Sequence, residues 1–483
     1  MKQQHVFSVL LTSSVLLVLL IYTTQVQSWV TDKFNSNVVG EFRTLISRLR
    51  DQITDQILDR NQTISCLSND TLCSERPVYV KFREISSAQK IWIYSVFYEL
   101  PSPTRTTPTI VALGSDSVDN KFRNNEKPIF HLYSEDRASG NTTEQLCHGI
   151  KRLVHPGYHP EQLRKMGKAY GTVSLECPLS TPIQPSYVTF SWPSNSSQSE
   201  RIPIIYPQLA SKRNITVCYS VVFGGYDDAG ELLQNLEFDR LMGAEHLYIY
   251  NHSVGPRLDA MMRSYVRDGL LTVLPMPAVD VVVRGYYHGH NLAIADCFYR
   301  NKHTSRYVAL HDTDEYITPL KHTSWLDMIQ HIEEKSKRTT QTAAFEFQHT
   351  FSCVPKNTTD VSHNHSNLTT SELEFIKKHN VSYFMRSRGQ NLLPFPTREK
   401  TIYRPELVAE VTTHFVVRFA KGGAALRVDN AVAYLRHSRS VPSTDGRWKT
   451  ECPIKYPHTA FYREYLRVLM EAYARKSQYL LTQ

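Results

Sequence analysis

From about Asn214 onward, short β-prone apolar runs alternate with apolar residues at helical spacing. Val217–Phe223 reads as a buried strand and ends in Gly224-Gly225, after which Asp227 and Asp228 offer a helix N-cap. Glu231–Met242 carries Leu232, Leu233, Leu236 and Leu241 on helical spacing, and Gly243 fits as its stop. His246–Tyr250 is the next strand. Pro256 opens a helix with Leu258, Met261, Met262 and Tyr265 on one face, Gly269 closes it, and Leu270–Leu274 is a third strand. Strand–helix–strand–helix–strand predicts a mostly parallel sheet with helices on both faces, and such sheets bind ligands at the carboxyl ends of their strands.

The same pattern continues further along. Asn291–Arg300 reads as a helix carrying Asp296 and Arg300, preceded by His288 and His290. Two histidines without a third ligand favour a donor-lining or structural role over a metal site. Tyr307–Leu310 is a buried strand. Trp325–Lys335 is a helix, and Ala343–Phe347 a strand. Residues 356–382 carry four sequons and three histidines and read as a glycosylated surface loop. Lys400–Pro405, Val411–His414 and Val432–Arg439 resume the strand pattern.

Before Asn214 the runs are of another kind. Val78–Phe82, Ile91–Tyr98, Thr109–Leu113 and Ser186–Trp192 are strand-like and punctuated by Pro, Ser and Asn. They predict a β-rich accessory domain over 77–210, with Trp92 and Trp192 as core residues. Residues 23–76 form a stem, in which Phe42, Leu45, Ile46, Leu49, Ile53 and Ile57 mark an amphipathic helix. That helix can pack on the body of the protein or hold a homodimer. Val6–Tyr22 is uncharged and apolar, with Lys2 before it, and is long for a signal-peptide core. It predicts a signal anchor over 6–22, with a cytosolic tail over 1–5. Cleavage after Val26-Gln-Ser28 is the rival reading.

Composition fits this compartment. Ten sequons, at Asn61, Asn69, Asn141, Asn195, Asn214, Asn251, Asn357, Asn364, Asn367 and Asn380, suit a lumenal protein. The eight cysteines are scattered without a C-x-x-C, which favours disulfides over zinc, with Cys66–Cys73 as a local pair. The net charge of +9 is spread along the 483 residues without a nucleic-acid motif, so no nucleic-acid partner is expected.

The candidate chemistry lies at Asp312, Asp314 and Glu315, just past the Tyr307–Leu310 strand. Carboxylates crowded at the end of a buried strand repel one another and lose hydration unless a countercharge offsets both effects. A divalent cation supplies one, and Mn²⁺ or Mg²⁺ accepts oxygen ligands. The plain alternative is that Thr313 or Asp314 caps a following helix. An EF-hand fails because Tyr316 and Ile317 stand where acidic and glycine positions are needed. An aspartic protease fails because Asp314, not Gly, follows Asp312-Thr313. His437, late in the chain, is either an imidazole ligand or a surface histidine among arginines.

Taken in order, five blocks resemble glycosyltransferase family 92. They are Leu236–Gly243 with His246–Tyr250, Asn291-x4-Asp296-Cys-x-Tyr-Arg300, Asp312-x-Asp-Glu-Tyr-Ile-x-Pro319, Lys400-x3-Arg-Pro-Glu406, and His414 with Leu435–Arg439. The resemblance covers about Asn214–Arg439. It implies a GT-A-like catalytic domain over 211–483, in a type II Golgi membrane protein with its catalytic domain lumenal. It implies an inverting, metal-dependent transferase using UDP-galactose or another UDP-hexose, and β1,4-galactosylation of fucose on N-glycan cores. It carries Asp312 and Asp314 over to the metal motif and His437 to the late histidine, with Mn²⁺ as the expected cofactor. Phe223, Lys400 and Arg404 are candidate UDP-sugar contacts, and Glu346, Asp429 and Glu315 are candidate bases. The chain departs from the common pattern at Ser438, often Tyr, and at Thr413, often Gly. A non-catalytic lumenal lectin or scaffold on the same fold is the competing reading.

Overall fold

Alternating apolar positions in the first part of the chain build two antiparallel sheets. The computed structural model describes residues 83–86, 91–117, 127–135, 141–154, 165, 167–181, 183–194, 196–209, 212–277, 279–336, 340–353, 368–385, 387–388, 392–440 and 459–480. The anchor, the stem and the Cys66–Cys73 pair lie outside the described residues. Among the described residues no helix is long and apolar enough to cross a membrane.

The first nine strands are β1 (Arg83–Ser86), β2 (Ile91–Glu99), β3 (Thr109–Ser117), β4 (Ile129–Glu135), β5 (Thr142–His148), β6 (Ile150–Leu153), β7 (Tyr170–Pro178), β8 (Tyr187–Ser191) and β9 (Ile202–Pro203). They pair in the orders β1-β2-β3-β7-β6 and β5-β4-β8-β9. Ile110 and Ala112 on one face of β3 pack with Phe130, Val188 and Phe190 of the second sheet. Val111 and Leu113, on the other face, pack against the rest of the protein. A disulfide joins Cys147 of β5 to Cys177 of β7. Trp192 is buried in the sandwich core, as expected.

The second architecture begins with β10 (Arg213–Val222), α1 (Ala229–Leu241), β11 (His246–Asn251), α2 (Pro256–Arg267), β12 (Leu271–Pro275), α3 (Asp280–Val283), α4 (His290–Asn301) and β13 (Ser305–Leu310). It continues with β14 (Glu315–Pro319), α5 (Trp325–Lys335), β15 (Gln341–Phe347), β16 (His349–Cys353), α6 (Thr370–Lys378), α7 (Ser382–Met385), β17 (Ser387–Arg388) and β18 (Lys400–Tyr403). It closes with β19 (Val408–Val411), β20 (Val416–Phe419), β21 (Gly423–Arg427), β22 (Ala433–Ser440) and α8 (Tyr462–Leu480).

The main sheet runs β12-β11-β10-β13-β18-β15-β21. β10 is parallel to β11 on one side and to β13 on the other, with Val217 opposite both Leu247 and Ala309. β18 enters antiparallel between β13 and β15. Asp228 caps α1 by accepting the Glu231 N–H at 2.8 Å, and Gly243 ends that helix at φ 102°. The α/β pattern read from the sequence therefore holds. A smaller sheet, β14-β22-β16-β17, begins just past the acidic turn.

Two features differ from the sequence reading. Thr369 and Glu372 form a capping box that starts α6, and Ile376, Val381, Tyr383 and Phe384 are buried in the main core. Residues 368–385 are thus a folded helical segment, not surface loop, while 354–367 lie outside the described residues. The last described element is α8, which had no counterpart in the sequence reading. Its Tyr465, Leu466, Leu469 and Ala472 enter the core beside α1, and Tyr465 donates to the Gln234 carbonyl at 2.8 Å.

The β-rich segment and the α/β segment share a hydrophobic core. Tyr94, Phe97 and Val111 pack on Leu292, Ile294 and Phe298 of α4, and Tyr94 donates to the Pro275 carbonyl at 2.9 Å. A disulfide between Cys218 of β10 and Cys297 of α4 fixes that helix to the sheet. Lys302, just past α4, is ion-paired to Glu99 of β2, and both side chains are only 1% exposed. Removing one member of a buried ion pair strands the other. Lys302→Met is therefore expected to cost roughly 3–5 kcal/mol, read as a lower denaturant midpoint, and adding Glu99→Gln should restore most of the loss. An unchanged midpoint in Lys302→Met would contradict this role.

Candidate active site

β10 is the topological switch point of the main sheet, because the chain leaves it toward β11 and later returns on its other side as β13. Ligands bind in the crevice outside the carboxyl ends of strands at such a point. Two side chains meet there: Ser220 of β10 donates to Asp312 Oδ1 at 2.6 Å. Asp312 and Glu315 also close a tight turn, in which the Glu315 N–H reaches the Asp312 carbonyl at 3.1 Å. The Asp312 N–H reaches Glu315 Oε2 at 2.9 Å. Directly after Asp314 the chain enters strand β14. The next helix, α5, is capped by Ser324, so the helix-cap reading of Thr313 or Asp314 does not hold.

The crowded carboxylates have a protein countercharge. Lys400 opens β18, and the antiparallel register with β13 brings it to the acidic turn. Its Nζ lies 3.0 Å from Asp312 Oδ2 and 3.3 Å from Glu315 Oε2, with the lysine side chain 1% exposed. Burial works against the ammonium, but Asp312 and Glu315 hold its pKa above the ordinary lysine value. Burial also works against ionised Asp312, yet Lys400, His290 and Ser220 hold that carboxyl well below the usual range. Glu315 goes the other way: burial, with Asp312 and Asp314 nearby, raises it against the pull of Lys400.

Asp314 is held differently. β22 runs antiparallel to β14 with His437 opposite Glu315, and His437 Nε2 lies 3.0 Å from Asp314 Oδ2. The Ser438 N–H donates to the Asp314 carbonyl at 2.7 Å. Burial lowers the His437 imidazole, but the hydrogen bond to Asp314 together with the charges of Asp314, Glu315 and Asp312 outweighs that and raises it. Behind it, His349 of β16 places Nε2 3.1 Å from His437 Nδ1. Burial and His437 pull His349 down to about 2, so it is neutral.

Aromatic residues line the neighbouring strand ends. Phe223 follows β10 and packs on His288 with ring centroids 4.5 Å apart, and His288 stacks on His252 at 4.7 Å. Tyr287 and His288 both have positive φ, 39° and 55°, between Gly285 and Gly289. Two strained non-glycine residues at a crevice lip are characteristic of a functional segment. The sandwich pins this segment, since Tyr170 of β7 bridges to Gly285 and the Ala169 N–H donates to the Arg284 carbonyl at 3.0 Å.

The structure brings Asp312, Asp314, Glu315, Lys400 and His437 together, with Phe223 at the end of the adjacent strand. It does not bring Arg404 there. Arg404 lies past the other end of β18, roughly 13 Å along the strand from Lys400, and it contacts Glu333 at 2.8 Å and the Tyr307 hydroxyl at 2.7 Å. Lys400 itself is buried between two carboxylates, so it neutralises the turn instead of offering a free ammonium to phosphate. Glu346 and Asp429 border an open cleft of about 930 Å³ whose lining includes none of Asp312, Asp314, Lys400 or His437. Asp429 Oδ1 accepts the Ala431 N–H at 2.8 Å and is held as a turn residue. Ser220, Glu231 and His349 were missed from the sequence. Glu231, on the first turn of α1, accepts from Ser438 at 3.0 Å and from Tyr226 at 2.5 Å.

The donor set suits a hard divalent ion. Octahedral ligands near 2.1 Å from an ion stand about 3 Å apart, which matches Asp314 Oδ2 and His437 Nε2. Asp314 keeps 32% of its side chain exposed toward solvent. A second set, Glu315, His349 and His437, has ligand atoms within 4.8 Å of one another. All three are buried, however, and Lys400 already sits against Glu315. Asp314 with His437 is therefore the better candidate pair.

Residues 213–471, more than half of the chain, match the profile of glycosyltransferase family 92. Over 110 residues the chain is 26% identical to the beta-1,4-galactosyltransferase galt-1 of Caenorhabditis elegans. That match spans 22% of this chain and 25% of the relative, so the chain covers only a quarter of that protein's length. Among solved structures the chain is similar to the mannosyltransferase PcManGT from Pyrobaculum calidifontis in complex with GDP-Man and Mn²⁺. That likeness has 13% identity and a TM-score of 0.25 over 56% of this chain and 77% of that one. It is also similar to the apo structure of the bifunctional glycosyltransferase WbbM, at 9% identity and a TM-score of 0.24 over 58% and 56%.

Lys400→Met tests the countercharge. Depressed in the folded state, Asp312 contributes stability above its unfolded pKa of about 3.9 and loses it as pH falls through the folded value. Without the ammonium, both carboxyls rise in the folded state. The deficit of Lys400→Met is therefore expected to be full, roughly 3–5 kcal/mol, near pH 7.5, and to shrink toward pH 5 as the stranded carboxylates take up protons. Equal deficits at both pH values in denaturant melts would contradict the assignment.

Proposed function

Because the chain belongs to glycosyltransferase family 92, we propose that it is a metal-dependent, inverting transferase that moves a hexose from a UDP-sugar to a glycan acceptor. Galactose is the proposed sugar and a β1,4 linkage to fucose on an N-glycan core the proposed product. The observation that carries this reading is the Asp314–His437 pair, 3.0 Å apart at the switch point and beside a turn already neutralised by Lys400. The proposed setting is the Golgi lumen, reached through an uncleaved anchor at Val6–Tyr22. The sequon density and the two disulfides, Cys147–Cys177 and Cys218–Cys297, support it.

A divalent cation held by Asp314 and His437 would offset the charge that develops on the diphosphate as it leaves. The chain's own residues do the rest. Ser220 and Lys400 fix Asp312, which shapes the turn and keeps it near neutral. Phe223 and His288 present ring faces where a nucleobase or sugar can pack. Inversion needs a base to take the acceptor hydroxyl proton. Glu315 is pinned by Lys400 and by the Asp312 N–H, and Asp429 by a backbone N–H. Glu346 lies 3.8 Å from Arg427 and burial raises its carboxyl, but it borders the cleft that Asp314 and His437 do not line. None of the three is singled out as the base.

The full chain, incubated with a panel of UDP-sugars and fucosylated N-glycan acceptors, should transfer galactose with Mn²⁺ and not with chelator. Asp314→Asn should abolish turnover while the melting temperature of the purified chain stays normal. Full activity in Asp314→Asn would overturn the metal assignment.

A further inference from the structure

His349 is wholly buried, and its Nδ1 has no hydrogen-bond partner among the described residues. A buried nitrogen left without a partner costs roughly 1–3 kcal/mol, and an apolar residue of similar size would avoid that cost. The other ring nitrogen shows what the imidazole does. β16 runs parallel to β22 with Phe351 opposite His437, so His349 and Phe351, two apart on β16, point to the same side. Phe351 stacks on the His437 ring at 5.5 Å and 26°. His349 meets that ring edge-on at 5.3 Å and 86°, with Nε2 3.1 Å from His437 Nδ1. The only carboxylate near the same atom among the described residues, Glu315 Oε1, is 3.7 Å away, which is too long for a hydrogen bond.

We propose that His349 is a positioning residue for His437: its Nε2 accepts the Nδ1–H of His437 and so keeps His437 Nε2 turned toward Asp314 as the ligating nitrogen. With the Nδ1–H given to His349, a cation takes the place of the proton that Nε2 otherwise gives to Asp314, so one hydrogen bond sets the rotation of the ring and frees that nitrogen to ligate. A metal-binding histidine must offer the lone pair of one nitrogen, and the proton on the other needs an acceptor. A carboxylate or a carbonyl usually fills that place, and here a second imidazole does. The tautomer also explains the cost at His349, since accepting at Nε2 leaves its own proton on Nδ1, where no acceptor stands among the described residues. This inference rests on the Asp314–His437 metal reading given above.

The test is Mn²⁺ binding to the purified full chain, with and without UDP, monitored by the loss of the free Mn²⁺ electron paramagnetic resonance signal. Pulsed measurements on bound Mn²⁺ would count the coordinated imidazole nitrogens. His349→Phe should weaken Mn²⁺ binding by about 10–100-fold. His349→Gln, whose amide oxygen can accept the same proton, should recover most of it. Wild type and His349→Gln should both show one coordinated imidazole. Wild-type affinity in a folded His349→Phe, judged by its melting temperature, would overturn the proposal. Two coordinated imidazoles in the wild type would also overturn it, by making His349 a ligand, and that result stands even if the Phe variant fails to fold. If Asp314→Asn and His437→Ala both bind Mn²⁺ like wild type, the metal reading falls and this inference with it. If they weaken binding and His349→Phe does not, only the positioning role falls.

Discussion

Three carboxylates at the end of a buried strand are the constraint on which the rest of the site depends. Asp312, Asp314 and the buried Glu315 cannot all stay ionised this close together without countercharge. The protein meets this in two ways. Lys400 reaches Asp312 and Glu315 from a strand threaded antiparallel beside β13. His437 reaches Asp314 from a different sheet. In the first pairing Lys400 is buried, although Asp312 keeps 31% of its side chain open. In the second Asp314 is 32% exposed beside a histidine, and it is there that a cation can enter without displacing a lysine.

The surrounding architecture serves to hold these groups in register. The crossover of the main sheet places Ser220 against Asp312. The small sheet β14-β22-β16-β17 carries His437 and His349 on adjacent strands. The sandwich closes the other face, and its strand β7 pins the strained Tyr286–His288 segment through Tyr170 and Ala169. The buried Glu99–Lys302 pair and the Cys218–Cys297 disulfide tie α4 to both halves. Stability and site geometry are therefore linked, since movement of the sandwich would shift the crevice lip.

Much of the α/β core was legible because its signals are local. Trp325–Lys335 has the bounds its apolar spacing predicts, and the β10–β12 region obeys its caps, glycines and runs. The misses have physical causes. Residues 368–385 looked like surface because sequons and polar residues outnumber the few side chains, Ile376, Tyr383 and Phe384, that enter the core. Helix α8 carries helical spacing at Tyr465, Leu466, Leu469, Ala472 and Tyr473, so nothing in its pattern hid it. In the site, the turn residues were legible as a cluster, but their partners were not. Lys400 and Arg404 lie on one strand four residues apart, and only the register decides that Lys400 meets the acidic turn while Arg404 meets Glu333. His349 gave no signal, because its role exists only through the pairing of β16 with β22.

Asp314 and His437 are the proposed holders of a divalent cation. Anomalous diffraction at the manganese edge, from crystals of the full chain grown with Mn²⁺ and UDP, tests this most directly. One strong peak is expected within bonding distance of Asp314 Oδ2 and His437 Nε2, with Lys400 still between Asp312 and Glu315. A peak among Glu315, His349 and His437 instead, or no peak near the acidic turn while UDP is bound, would contradict it.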